Sequence, residues 1–187
     1  MKRFLVTFCL LLITLFGSYS VINNSSVVAN IPFSSFIVRE AAEPSKLIIP
    51  ALDIGADIEI LGLDEENRMA SPEDTNKAGW YKYGAKPGTE GNAVIAGHRD
   101  SLTGPALFYK LRDLETGDQV VVVDKFGKTY TYKVLRKETY KSDQFPLEEV
   151  FGFSKTKRLN LVTCEGVFNK EEKSYSDRLV VYTELVE

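Results

Sequence analysis

The sequence predicts a mainly β domain, either a closed barrel or a sandwich. From Lys46 onward the chain is divided into short aliphatic, aromatic and β-branched runs separated by Gly- and Pro-containing turns. Two of these runs, 119–124 and 129–136, are joined by Lys125-Phe126-Gly127-Lys128, and in the second Tyr130, Tyr132 and Val134 share one face at the two-residue period of a strand. No helical pattern is long enough to supply the crossovers of a parallel α/β sheet.

Taken in order, residues 46–50 and 57–61 read as strands flanking a turn near Gly55. Residues 92–97 form a compact apolar run that ends at His98. Residues 105–111 read as one or two helical turns, because a proline near the start of a helix gives up no backbone bond. The 119–136 pair follows as a hairpin, and 146–151 reads as a second short helix. Strands over 158–164 and 178–186 complete the set, with a polar loop from Glu165 to Asp177 between them.

The N-terminus differs in character. Lys2 and Arg3 precede Phe4–Phe16, an apolar run interrupted only by Thr7 and Thr14 and weakly extended by Gly17–Ile22. A positive start followed by an apolar stretch marks export, and a span reaching Ile22 is close to the ~20 residues needed to cross a bilayer. The expected organisation is a signal anchor over 1–22, a polar linker or appendage over 23–42, and one domain over 43–187 lying outside the membrane. Val27-Val28-Ala29 would admit a signal peptidase, but lies well beyond the apolar run.

Acidic and basic residues are interspersed, 26 against 23, for a formal net charge of -3. Without a basic run or an RNA-binding aromatic signature, nucleic acid is not an expected partner. No metal-ligand spacing, calcium-loop signature or cofactor motif is legible, so no metal or cofactor is expected.

Two cysteines occur, Cys9 within the apolar N-terminal run and Cys164 in the domain. An exported domain with one cysteine has no internal disulfide, so that thiol is either buried and inert or used as a nucleophile. A thiol with its ordinary pKa of about 8.5 is mostly protonated at neutral pH and needs a base or acid partner to act on an amide. The chain has a single histidine, His98, placed like Cys164 at the end of an apolar strand, where a rigid scaffold gives way to loops. If those strands are neighbours, both groups face one barrel mouth. Arg178, opening the last strand, supplies a permanent cation able to hold the charge of an oxyanion and to favour a thiolate. Each residue read singly has an ordinary structural explanation; their joint placement points to nucleophilic catalysis.

The same residues carry a family resemblance. Asn92-Ala93-Val94-Ile95-Ala96-Gly97-His98-Arg99-Asp100, Leu161-Val162-Thr163-Cys164 and Asp177-Arg178-Leu179-Val180-Val181 resemble, in that order, the signature segments of sortases, nearest the class F group. Gly79-Trp80-Tyr81 and Ala106-Leu107-Phe108-Tyr109-Lys110-Leu111 support the likeness, which spans about Lys46 to Val186. The resemblance implies an eight-stranded β-barrel with short helices. It implies a cysteine transpeptidase in which Cys164 is the nucleophile, His98 the general acid and base, and Arg178 the holder of the carbonyl or oxyanion. The implied partners are proteins bearing a Leu-Pro-x-Thr-Gly-like sorting signal and an amine acceptor such as a peptidoglycan precursor. Thr163 is either a substrate-binding residue lining the pocket or an ordinary β-branched strand residue. Asp100 either orients the imidazole or stabilises a turn. Glu165, which follows the nucleophile where relatives often carry an uncharged residue, is expected to oppose thiolate formation at Cys164.

Overall fold

The computed structural model describes residues 41–186, so the expected anchor and nearly all of the expected linker lie outside the described residues. Ten strands occur among the described residues: β1 Pro44–Ile49, β2 Ile54–Leu61, β3 Ala78–Tyr81, β4 Gly91–Ala96, β5 Asp100–Ser101, β6 Gly104–Pro105, β7 Gln119–Asp124, β8 Thr129–Lys141, β9 Lys157–Asn169 and β10 Ser174–Leu185. One α-helix, α1, spans Leu147–Phe151. Eight strands close into a barrel in the order β1-β2-β3-β4-β9-β10-β8-β7, while β5 and β6 form a separate small hairpin. The predicted mainly β closed barrel is the observed fold.

The pairing is antiparallel except at two places, β2 with β3 and β4 with β9. The second exception matters for function. A parallel pair runs both strands in the same direction, so the ends of β4 and β9 emerge together. Closure removes free edges, and alternation along each strand sends every second side chain inward. Leu47, Ile49, Ala93, Ile95, Val120, Tyr132, Leu159, Leu161 and Val181 fill the interior with Trp80 and Phe108. At ~25 cal/mol per Å² of apolar surface removed from water, burial of this set is the main favourable term holding the barrel.

A second, smaller core lies on the outer wall. Val94 of β4 and Val180 and Tyr182 of β10 are buried there against Val150 of α1, with Phe145 and Phe151 packed around them. Two buried asparagines explain why so short a helix docks. Asn92 Nδ2 donates to the carbonyls of Glu149 and Gly152 at 3.2 and 2.8 Å, and Asn160 Nδ2 donates to the carbonyl of Val150 at 2.8 Å. The last carbonyls of a helix have no partner within it, and here the barrel wall supplies one.

Several local expectations are corrected. The first turn is not at Gly55, which pairs with Ile48 inside β2; it is a 3-10 turn at Pro50–Leu52 closed by Asp53 in the left-handed region, φ 56°. Residues 105–111 are not helical. Pro105 ends β6, and long-range backbone bonds from Leu107 N to Thr75 O and from Phe108 N to His98 O hold the following turn, with a 3-10 turn only at Leu111–Asp113. Most of the span from Glu165 to Asp177 is not a loop but the outer half of the β9–β10 hairpin.

Candidate active site

His98 leaves β4 two residues after Ala96, which pairs with Val162 of β9. Gly97 N donates to the Val162 carbonyl at 3.1 Å and Thr163 Oγ1 donates to the Gly97 carbonyl at 2.8 Å, extending the parallel contact to the residue before the imidazole. On the other side, Phe108 N donates to the His98 carbonyl at 2.8 Å. The ring is held by Nε2–H donating to the carbonyl of Pro72 at 2.8 Å. Since a carbonyl only accepts, Nε2 carries the proton, and Nδ1 is the atom left to exchange one.

Cys164 lies within β9 rather than at its end, and Arg178 of β10 is its direct cross-strand partner. Leu161 and Thr163 of β9 and Leu179 and Val181 of β10 are buried toward the barrel interior, so Cys164 and Arg178 project from the outer wall. Directly opposed side chains on one face of an antiparallel pair have Cβ atoms about 5 Å apart. The expectation of a site at the barrel mouth is corrected accordingly: the thiol, the imidazole and the guanidinium share a groove on the barrel's outer face.

The guanidinium is fixed by a ring of acceptors. Arg178 Nη1 donates to the carbonyls of Tyr175 and Asp177, both at 2.8 Å, and to Ser142 Oγ at 3.0 Å, while Nη2 donates to Ser174 Oγ at 3.2 Å. A cation tethered this way meets a developing negative charge with little reorganisation.

Burial pushes the Cys164 thiol above its ordinary value; Arg178 opposes that rise, Asp100 adds to it and Arg99 opposes it. Arg178 therefore acts in the expected direction but does not overcome desolvation, and the resting group is the thiol. The expected effect of Glu165 is corrected. Its side chain alternates to the opposite face of β9 from Cys164, is 7% exposed, and accepts a bond from Arg112 Nη2 at 2.8 Å with Arg99 Nη1 at 3.8 Å. Two cations neutralise it, and Asp100 is the carboxylate that disfavours the thiolate.

Two concavities meet at Cys164. One, of about 640 Å³, has apolar walls from Leu63, Met69, Tyr81, Phe145, Leu147, Phe151 and Val162, and reaches His98, Thr163, Cys164 and Arg178. The other, of about 610 Å³, also reaches His98, Cys164 and Arg178 and is lined mostly by charged and polar groups, among them Asp64, Arg99, Asp100 and Lys173, with Met69 and Phe168. All four residues singled out from sequence thus border the apolar groove. Thr163 does so with its hydroxyl committed to the Gly97 carbonyl. Asp100 is bonded by the hydroxyl of Tyr175.

Sequence reasoning missed the apolar wall at 63–72, the acceptors around Arg178, and Tyr175. Phe145 and Phe151, bracketing the one helix it did find, were the available signal for the wall. An acyl chain laid in the apolar groove would present its carbonyl to a thiol, with an imidazole and a fixed cation at hand. That is the equipment of nucleophilic acyl transfer.

Comparison with known proteins gives a family and a fold. Residues 47–186 match the family model described as the sortase domain. Among curated proteins, none matches the chain in sequence. Among solved structures, sortase A from Corynebacterium diphtheriae superposes with a TM-score of 0.60 at 22% identity, covering 79% of this chain and 62% of that one. Sortase C1 from Streptococcus agalactiae gives 0.60 at 22%, covering 76% and 67%. Sortase C-1 from Actinomyces oris gives 0.59 at 22%, covering 76% and 71%. The chain therefore spans less than two thirds of the first of these proteins and about two thirds or slightly more of the other two.

Proposed function

This chain belongs to the sortase family, and from that premise we propose that it is a cysteine transpeptidase that cuts a Leu-Pro-x-Thr-Gly-like sorting signal and transfers the protein to an amine. The observation that carries the reading is the adjacency of three groups. A thiol on β9, an imidazole at the end of the parallel neighbour β4, and a guanidinium directly across the ladder on β10 border one groove.

The apolar concavity receives the leucine and proline of the signal, and the scissile carbonyl lies against Cys164. His98 Nδ1 takes the thiol proton as Sγ attacks the carbonyl carbon. The Arg178 guanidinium holds the oxyanion that forms. Collapse of the tetrahedral intermediate breaks the C–N bond, and the imidazolium returns its proton to the departing amine, leaving a thioester. An acceptor amine then attacks the thioester and gives its proton to the imidazole; the C–S bond breaks, and the imidazolium returns the proton to the departing sulfur, restoring the thiol. The polar concavity on the far side of Cys164 is the approach for that amine, a peptidoglycan precursor or another cell-wall component.

The motifs around His98, Cys164 and Arg178 support a place near class F within the family. The charged start and apolar run over 1–22 support a membrane anchor with the catalytic domain on the outer side of a Gram-positive cell. The test is incubation with a Leu-Pro-x-Thr-Gly peptide, with and without oligoglycine or a stem pentapeptide. A peptide adduct on Cys164, resolved to an amide only when amine is present, is the expected result. Release of free acid at the same rate with or without amine would make it a hydrolase instead. Absence of any adduct with sorting peptides would overturn the reading.

A further inference from the structure

Tyr175 connects the two partners of the thiol. Its hydroxyl donates to Asp100 Oδ2, two residues beyond His98. Its backbone carbonyl accepts from Arg178 Nη1 at 2.8 Å and from Ser142 Oγ at 3.1 Å. Its ring packs on Phe168 with centroids 5.1 Å apart, and Arg99 lies 5.4 Å from the ring centroid.

The backbone at this point is irregular. The β9–β10 ladder changes register between Tyr175, which pairs with Phe168, and Asp177, which pairs with Glu165. The extra residue on β9 makes a bulge at Gly166, φ 85°, and Val167 N donates to the Ser176 hydroxyl. Bulges break the regular bonding that would otherwise fix a strand. The Tyr175 carbonyl, one of the two carbonyls that accept from the Arg178 guanidinium at 2.8 Å, thus sits in the least regular part of the hairpin. Beside a longer bond from Arg99 Nη1 to the Gly166 carbonyl at 3.4 Å, the hydroxyl bond to Asp100 ties this part to the segment carrying His98. The bond also keeps Tyr175 protonated, since the Asp100 carboxylate pushes its pKa up to about 12, so it remains a donor well above neutral pH.

Taking the acyl-transfer reading of the site as given, we propose that Tyr175 is a positioning residue: its bond to Asp100 latches the bulged β9–β10 hairpin to the His98 segment and so fixes one of the two carbonyls that orient Arg178 beside Cys164.

Three variants of the full chain separate this from a merely structural role. Tyr175→Phe keeps the ring against Phe168 and Arg99 but deletes the donor. Asp100→Ala deletes the acceptor, and Asp100→Asn keeps an acceptor oxygen while removing the charge. Tyr175→Phe and Asp100→Ala should each lower kcat for acylation by a sorting peptide about tenfold to a hundredfold, the usual effect of misplacing a group at a reacting centre, with KM and melting temperature unchanged. Amide hydrogen exchange across 174–178 should quicken in both and stay at the wild-type rate in Asp100→Asn, and the double variant should be no worse than the poorer single one. Wild-type kcat and exchange in Tyr175→Phe would overturn the latch, as would a loss carried wholly by KM or melting temperature. If the wild-type protein acylates with no sorting peptide, the acyl-transfer reading falls, and the exchange measurement still decides whether the latch exists.

Discussion

Arg178 stands directly across the β9–β10 ladder from Cys164, both side chains on the outer face of the barrel. The guanidinium is tied to the carbonyls of Tyr175 and Asp177 and to the hydroxyls of Ser142 and Ser174, so its position does not depend on a bound substrate. Arg178→Ala should lower kcat for acylation by about a hundredfold to a thousandfold, the range seen on losing a preorganised oxyanion donor. Arg178→Lys should recover little of this, because an ammonium on a flexible stem cannot satisfy the same fork of acceptors. Single-turnover kinetics of adduct formation on Cys164 checks both, and equal kcat in the lysine variant would mean that charge alone suffices.

The thiol itself gives a pH prediction. Burial raises its pKa and Asp100 adds to the rise, whereas Arg178 and Arg99 act against it. A raised pKa means that the thiolate fraction is small at neutral pH and grows as pH climbs through and beyond the ordinary thiol range. Alkylation by iodoacetamide should therefore speed up steadily from neutral to alkaline pH, with its midpoint above that of a free cysteine. At fixed pH 8, Arg178→Ala should react more slowly than wild type and Asp100→Asn faster. A midpoint at or below the free-cysteine value would contradict the dominance of burial.

The parts of this molecule that were legible in the sequence are those where local pattern and tertiary role coincide. Tyr130, Tyr132 and Val134 alternate because one face of β8 is the barrel core, and the apolar run over 93–96 in β4 is what a strand covered on both faces looks like. His98, Cys164 and Arg178 were legible because they are the only histidine, the only domain cysteine and the strand-borne arginine of a recognisable order. The outer half of the β9–β10 hairpin was not legible. Its residues from Glu165 to Asp177 are mostly polar and bulged, which in sequence is indistinguishable from a loop. Pro105–Leu111 carries a helix signal, yet bonds to Thr75 and His98, distant in sequence, decide its path. Nor does periodicity say that a closed sheet packs on both sides, and for that reason the groove's place on the outer wall was missed.

Gly97 is held between two requirements. Its carbonyl accepts from Thr163, its amide bonds β9, and a Cβ at this position would come within 2.6 Å of the Phe108 ring. Phe108 is 1% exposed and cannot swing away. Gly97→Ala should therefore displace the backbone that carries His98, costing at least about tenfold in acylation and about 1–3 kcal/mol in stability, as overpacking does. Pairing it with Phe108→Leu, which opens space at the clash, should restore part of both. Chemical denaturation and adduct kinetics on the single and double variants measure this, and additive losses would show that the contact is not the cause.

Tyr132 supplies a prediction for the barrel as a whole. Its side chain is fully buried, and its hydroxyl oxygen accepts from Gly88 N at 2.7 Å. Burial raises its pKa far above the ordinary tyrosine value of about 10. In the folded state the neutral phenol is favoured, so between the unfolded and folded pKa values the folded chain binds the extra proton. This contribution is fully present below about pH 10 and is lost as pH rises above it, by about 1.4 kcal/mol per pH unit while the unfolded phenol alone ionises. Unfolding free energy measured by urea titration should hold level on the neutral side of that point, apart from other groups, and fall beyond it. Tyr132→Phe should flatten that alkaline slope while costing about 1–3 kcal/mol at neutral pH, because the Gly88 N–H loses its acceptor. An alkaline slope identical in the two proteins would show that Tyr132 ionises freely in the native barrel.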